Sequence, residues 1–130
     1  MINTLPKLRN KPVAKILIID DEDIVRDMLR DILEPVGYSI LEAENGQKGL
    51  EIFNTEAIDL VITDIMMPEK DGFETISELN KIRPGIKIIA LTGYGLHNLP
   101  IAFDLGAALV YEKPIKPKDL KKAVANLLNK

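Results

Sequence analysis

Four short stretches of this chain carry residues that could do chemistry. Asp20-Asp21-Glu22-Asp23 follows the apolar run Lys15–Ile19, and Asp64 closes the run Leu60–Thr63. Thr92-Gly93 follows a third run, Ile86–Leu91, and Lys113-Pro114 follows a fourth, Leu109–Glu112. In an open α/β sheet, ligands bind outside the carboxyl ends of the strands. Strand ends would therefore gather these residues on one edge: carboxylates from two strands, a hydroxyl from another and an ammonium from the last. Three carboxylates in one crevice repel each other and need a cation. Hard oxygen ligands without histidine or sulfur select magnesium, or manganese, over zinc or copper. Magnesium commonly bridges carboxylates to phosphate oxygens, and a lysine and a hydroxyl are further partners for an anionic phosphoryl group. Aspartate is an established nucleophile of this kind, so the crevice reads as a site where a phosphoryl group ends up on a carboxylate.

The elements that must position these residues alternate regularly. Five runs rich in Ile, Val and Leu read as strands: Lys15–Ile19, Tyr38–Ala43, Leu60–Thr63, Ile86–Leu91 and Leu109–Glu112. Several are apolar nearly throughout, as strands buried on both faces are. Between them lie helix signals. Residues 23–35 place Ile24, Val25, Met28, Leu29, Ile32 and Leu33 on one stripe, with Gly37 as a C-terminal stop. Asn45-Gly46 opens a second helix carrying Leu50, Ile52 and Phe53. Asp71 and Glu74 have capping-box spacing for a third, running to about Ile82 before Pro84-Gly85. A fourth begins near Asn98 with Pro100 in its first turn, and the last starts around Pro117 with Leu120, Ala123, Val124, Leu127 and Leu128. Five strands alternating with five helices predict an α/β fold, a doubly wound parallel sheet with helices on both faces.

Composition narrows the classes. The chain has 130 residues, 46% hydrophobic and 28% charged, which makes one globular domain with no room for a second. No cysteine is present, which excludes a disulfide framework, thiolate metal sites and thiol catalysis. The single histidine, His97, reads as a solvated loop residue, and one histidine argues against a histidine-rich metal site. No apolar run spans a bilayer. The net charge of −3 gives no electrostatic reason for nucleic-acid binding. A cytoplasmic protein is expected. Residues 1–14, with Lys7, Arg9 and Lys11 and no acid, read as a mobile tail before a domain of residues 15–130.

Each motif alone is weak, and Asp23 by itself reads as a helix N-cap. Together they carry a resemblance to the receiver domain of two-component response regulators, chemotaxis-type, over residues 15–129. It lies in Ile16-Leu-Ile-Ile-Asp-Asp-Glu22, Asp64-Ile-Met-Met-Pro-Glu-Lys-Asp-Gly72, Leu91-Thr92-Gly93 and Glu112-Lys113-Pro114. The resemblance implies a flavodoxin-like sheet of order 2-1-3-4-5. It implies Asp64 as phosphoacceptor, Asp21 as a direct magnesium ligand with Asp20 acting mainly through water, and the Met66 backbone carbonyl completing the protein's share of the shell. Thr92 matches the switch hydroxyl, and Lys113 the lysine that pairs with the phosphoryl oxygens. The Lys113–Pro114 bond is usually cis in the family. The implied partners are a histidine kinase or histidine phosphotransfer protein and an output protein or domain, acted on through the fourth helix, fifth strand and fifth helix. The implied chemistry is self-phosphotransfer and autodephosphorylation only.

Some positions depart from the family pattern. The aromatic switch position, three before the lysine, is Val110, and the neighbouring Tyr111 falls on the other face of its strand. Met66 and Tyr94 stand at the positions that tune phosphoryl lifetime, and neither is a carboxylate or amide. The winged-helix transcription-factor pattern of acids and arginines is also missing. Lys116, Lys118, Lys121, Lys122 and Lys130 give the last helix a basic, solvated face. Two other functions compete. A HAD-like aspartate-nucleophile phosphohydrolase would want an acid two residues after the nucleophile, where Met66 stands. A flavin binder would want a hydroxyl- and glycine-rich loop where the acids Asp20–Asp23 stand. An excised piece of a larger regulator or hybrid kinase would read the same way as an isolated receiver.

Overall fold

The computed structural model describes residues 13–66, 72–93 and 99–129. The expected mobile tail up to residue 12, together with Tyr94, His97 and Lys130, lies outside the described residues. Five strands, β1 (Lys15–Ile19), β2 (Ser39–Ala43), β3 (Leu60–Asp64), β4 (Lys87–Thr92) and β5 (Leu109–Glu112), alternate with five helices. These are α1 (Asp23–Leu33), α2 (Gly46–Thr55), α3 (Gly72–Ile82), α4 (Leu99–Leu105) and α5 (Pro117–Leu128). The sheet runs β2-β1-β3-β4-β5 and every neighbouring pair is parallel.

The apolar strands sit where both faces are covered. β3 is buried along its whole length, and β1 and β4 at every residue but the first. The edge strands β2 and β5 are only partly buried. One core cluster joins Leu17, Ile19 and Val61 to Phe53 of α2, Leu79 of α3 and Ala102 of α4. The other joins Ile16, Ile18 and Ile62 to Leu29 and Leu33 of α1 and Leu120 and Val124 of α5. Alternate residues of one strand thus feed opposite cores. Val110 packs on the first cluster and Tyr111 on the second, so the aromatic ring lies across the sheet from the position it would have to replace.

Three local expectations need correction. The first helix stops at Leu33 rather than residue 35, because Pro35 offers no N–H to continue the ladder. A 3-10 turn over Glu34–Val36 follows, and Gly37 closes it at φ +115°, where a side chain would be strained. The apolar stripe of α1 is narrower than periodicity suggested. Leu29 and Leu33 are buried and Val25 and Ile32 pack beside them, but Ile24 is 75% exposed and Met28 also faces outward. Lastly, β3 and β4 each run one residue further than their apolar runs. Asp64 pairs with Leu91 and Thr92 with Glu112, so both polar residues lie inside the ladder.

Asn45 caps α2 by accepting from Lys48 N at 2.8 Å. Gly72 opens α3 so close to β3 that a Cβ there would lie 2.2 Å from the carbonyl oxygen of Asp64. Its N–H donates to Ile65 O at 2.7 Å. No described helix is long and apolar enough to cross a membrane.

Candidate functional site

The carboxyl ends of β1, β3, β4 and β5 lie along one edge of the sheet, and the residues that close them meet there. Carboxylate oxygens of Asp20, Asp21 and Asp64 lie within 4.8 Å of one another. Asp20 and Asp64 are almost wholly buried, whereas Asp21 is exposed. Lys113 reaches in from just beyond β5. Its Nζ donates to Asp64 Oδ2 at 3.1 Å, stands 3.0 Å from Asp20 Oδ2 and reaches Glu22 Oε1 at 3.4 Å. Lys113 N donates to Thr92 O at 2.8 Å, which pins the loop that carries the ammonium. The Lys113–Pro114 bond is cis. Asp21, Glu22, Asp64, Met66, Gly93 and Lys113 line a cleft of about 390 Å³, room enough for a hydrated cation and a phosphoryl group. Thr92 ends β4 beside this cleft, 3% exposed, with Gly93 at the rim.

Local hydrogen bonds orient the acids. Asp20 Oδ1 accepts from Glu22 N at 2.9 Å, and Asp64 Oδ1 accepts from Met66 N at 3.2 Å. That bond folds the chain back over Asp64 and leaves the Met66 side chain 47% exposed. Asp23 is not the N-cap of α1. Glu22 occupies that position, its side chain caps nothing, and the Asp23 carboxylate pairs instead with Arg26. Two contributors escape a reading of strand ends: Glu22, which shares Lys113, and Arg26, which donates to Asp20 O at 2.6 Å. Glu22 is visible in the run of acids, but an arginine at the fourth position of a helix gives no local sign that it reaches back.

Burial pushes the Asp64 carboxyl up to about 6, and Asp20 adds to this, against the pull of Lys113 and the Met66 N–H. Burial alone would lower Lys113, but the Asp20 and Asp64 carboxylates outweigh it and hold the ammonium above its usual range. Among the described residues the buried Asp20 Oδ2 accepts no hydrogen bond, although the Lys113 ammonium stands 3.0 Å away as an ion pair. One ammonium faces several acids among the described residues, which leaves an excess of negative charge. A set of hard oxygens with one such unsatisfied atom fits a hard divalent cation.

The raised Asp64 value sets a sign for stability. The folded chain binds this proton more tightly than the unfolded chain, whose carboxyl titrates near 3.8. The stabilisation is present below about pH 4 and is lost as pH rises through 6. The shift corresponds to about 2–3 kcal/mol. Without divalent metal, Asp64→Asn is therefore expected to gain stability over wild type at pH 7.5, with most of that gain gone at pH 4. Urea unfolding of both proteins at the two pH values measures it, and an equal difference at both would refute the assignment.

Comparisons with known proteins agree with this architecture. The family model described as the response regulator receiver domain matches residues 16–125. The "probable transcriptional regulator ycf27" of Cyanidium caldarium is 37% identical over 123 residues, which is 94% of this chain and 49% of that protein. The transcriptional regulatory protein GlrR of Escherichia coli K12 is 34% identical, over 93% of this chain and 27% of its own length. The chain thus spans about half of the first relative and about a quarter of the second. Among solved structures, a CheY-like receiver domain protein from Methanospirillum hungatei JF-1 superposes with a TM-score of 0.87 at 34% identity, covering 91% of this chain and 95% of that one. The response regulator TrrA of Thermotoga maritima, in complex with Mg(2+)-BeF, gives a TM-score of 0.82 at 36% identity, covering 88% and 99%. A doubly wound sheet with an acid cluster and a lysine at its switch edge defines a signalling domain of the two-component type. The chain belongs to the response regulator receiver domain family.

Proposed function

We propose that this domain is a magnesium-dependent phosphoacceptor switch, with Asp64 as the residue that takes the phosphoryl group. One observation carries the reading: Asp64, nearly buried, clusters with the carboxylates of two further aspartates and is hydrogen-bonded to a lysine. An Asp64 carboxylate oxygen attacks the phosphorus of a phosphohistidine or a small acyl phosphate. The bond from phosphorus to the donor breaks, and the donor keeps its electron pair. Magnesium, or manganese, held by Asp21, Asp64 and the Met66 carbonyl, with Asp20 acting mainly through water, would neutralise charge on the transferring group. Lys113 pairs with the phosphoryl oxygens, and Thr92 supplies a hydroxyl from β4. The phosphoryl group adds about −1.5 to −2 charges at neutral pH. That charge draws on Lys113 and Thr92 and biases the surface of α4, β5 and α5, where an output protein or domain reads it. A histidine kinase or histidine phosphotransfer protein is the donor. Intact-mass measurement after incubation with acetyl phosphate tests the reading. One phosphoryl group per chain is expected with magnesium and none with chelator, and a chain that never takes one overturns it.

The phosphoryl lifetime follows from what faces the water. Met66 places a thioether, half-exposed, at the cleft, where no proton can be taken. Replacing it and Tyr94 with polar groups that orient water, as Met66→Asn with Tyr94→Glu, is expected to speed dephosphorylation by about tenfold or more, a barrier change of at least ~1.4 kcal/mol. Phosphate release after donor removal gives the rate. A double mutant no faster than wild type would show that these side chains do not gate water.

A further inference from the structure

The main chain of Asp20 is held from two sides by groups outside the cleft. Its N–H donates to Ala43 O of β2 at 3.1 Å, and its carbonyl accepts from Arg26 Nη1 of α1 at 2.6 Å. Arg26 is itself fixed. Its Nε donates to Glu42 Oε1 at 3.3 Å, its Nη2 donates to Asp23, and its side chain is only 13% exposed. Glu42, on β2, is fixed in turn by Arg30, which donates to its second oxygen and pairs with Glu34. A guanidinium presents its donors in one rigid plane. One side chain therefore ties together the end of β1, the first turn of α1 and the edge strand β2.

We propose that Arg26, locked by Glu42, is a positioning residue for the cation site. It sets the backbone from which Asp20 and Asp21 present their carboxylates, without touching metal or phosphoryl group itself. This inference rests on reading the cleft as a magnesium-dependent phosphoacceptor site. Charge and geometry make opposite demands here. A positive charge beside an acid cluster weakens the cluster's hold on a cation, so deleting Arg26 on charge alone tightens magnesium. Deleting a support loosens it. Lysine keeps the charge but not the fork, so Arg26→Lys loosens the site as well.

The test measures magnesium affinity by NMR titration, and the magnesium concentration for half-maximal phosphorylation by acetyl phosphate. Wild type, Arg26→Gln, Arg26→Lys and Glu42→Gln are compared, with thermal unfolding run in parallel. Both magnesium midpoints are expected to rise about tenfold in the two Arg26 variants, as partners that orient metal ligands typically require. Glu42→Gln moves them in the same direction, and the rate at saturating magnesium returns to the wild-type level. Arg83→Gln is the control. It removes an arginine that bonds Ile58 O and lies over the Phe53 ring at the opposite end of the sheet, and it leaves the midpoints in place. Midpoints unchanged or lowered in Arg26→Gln overturn the inference. So does Arg26→Lys behaving as wild type, or Arg83→Gln matching the Arg26 variants. A wild-type chain that takes no phosphoryl group defeats the functional reading instead, and the NMR titration still decides the role of Arg26.

Discussion

Asp64→Asn is expected to take no phosphoryl group from acetyl phosphate and magnesium, where the wild-type chain takes one. The reason is chemical rather than steric. Asparagine keeps the shape of the side chain at the end of β3 and can still accept from Met66 N, but its amide is a far poorer nucleophile than a carboxylate. Among the described acids that line the cleft, Asp21, Glu22 and Asp64, only Asp64 is buried. Asp20 is buried too but does not line the cleft. Asp21 is exposed, and among the described residues the Lys113 ammonium pairs with Asp20, Glu22 and Asp64 rather than with it. Intact mass and peptide mapping give the stoichiometry and the site. Wild-type stoichiometry persisting in the mutant would mean that another group is the acceptor. The stability gain argued above for the same mutant at neutral pH guards against misfolding as the cause of the loss.

Asp21→Ala is expected to abolish measurable magnesium binding and, with it, magnesium-stimulated phosphorylation. Asp21 is the exposed member of the three-acid cluster, and thus the one a hydrated cation meets first. The loss leaves Asp20, with one oxygen held by Glu22 N and the other buried beside the Lys113 ammonium, and Asp64, which must also act as nucleophile. The mutant should fold at least as stably as wild type without metal, since it removes one charge from a mutually repelling set. Titration followed by NMR, with thermal unfolding alongside, separates the two effects. Unchanged affinity would place the metal in a different set of ligands.

Much of this fold can be read from local pattern. The three central strands announce themselves because both their faces are buried, so nearly every residue is apolar. Asp64 and Lys113 stand out only together with Asp20, Asp21 and Thr92, because each is weak alone and four strand ends in the right order are not. The apolar runs stop one residue short of the strands, because main-chain pairing continues through Asp64 and Thr92 although their side chains break the run. The exposure of Ile24 could not be read from spacing, because a helical stripe fixes an angle and not the width of the surface that covers it. The Arg26–Glu42 and Lys113–Glu22 pairs were out of reach for another reason. Their members lie 16 and 91 residues apart, and only the folded chain brings them together.

The contact between Gly72 and the Asp64 carbonyl has a mechanical consequence. With no side chain between them, the first turn of α3 and the tip of β3 have no clearance, and no rotamer can take up slack. Any side chain at position 72 would have to push the start of α3 off the tip of β3. Most strand tips are suspended in a cushion of movable side chains. Here main chain meets main chain, so the spacing between β3 and α3 is set by backbone atoms alone.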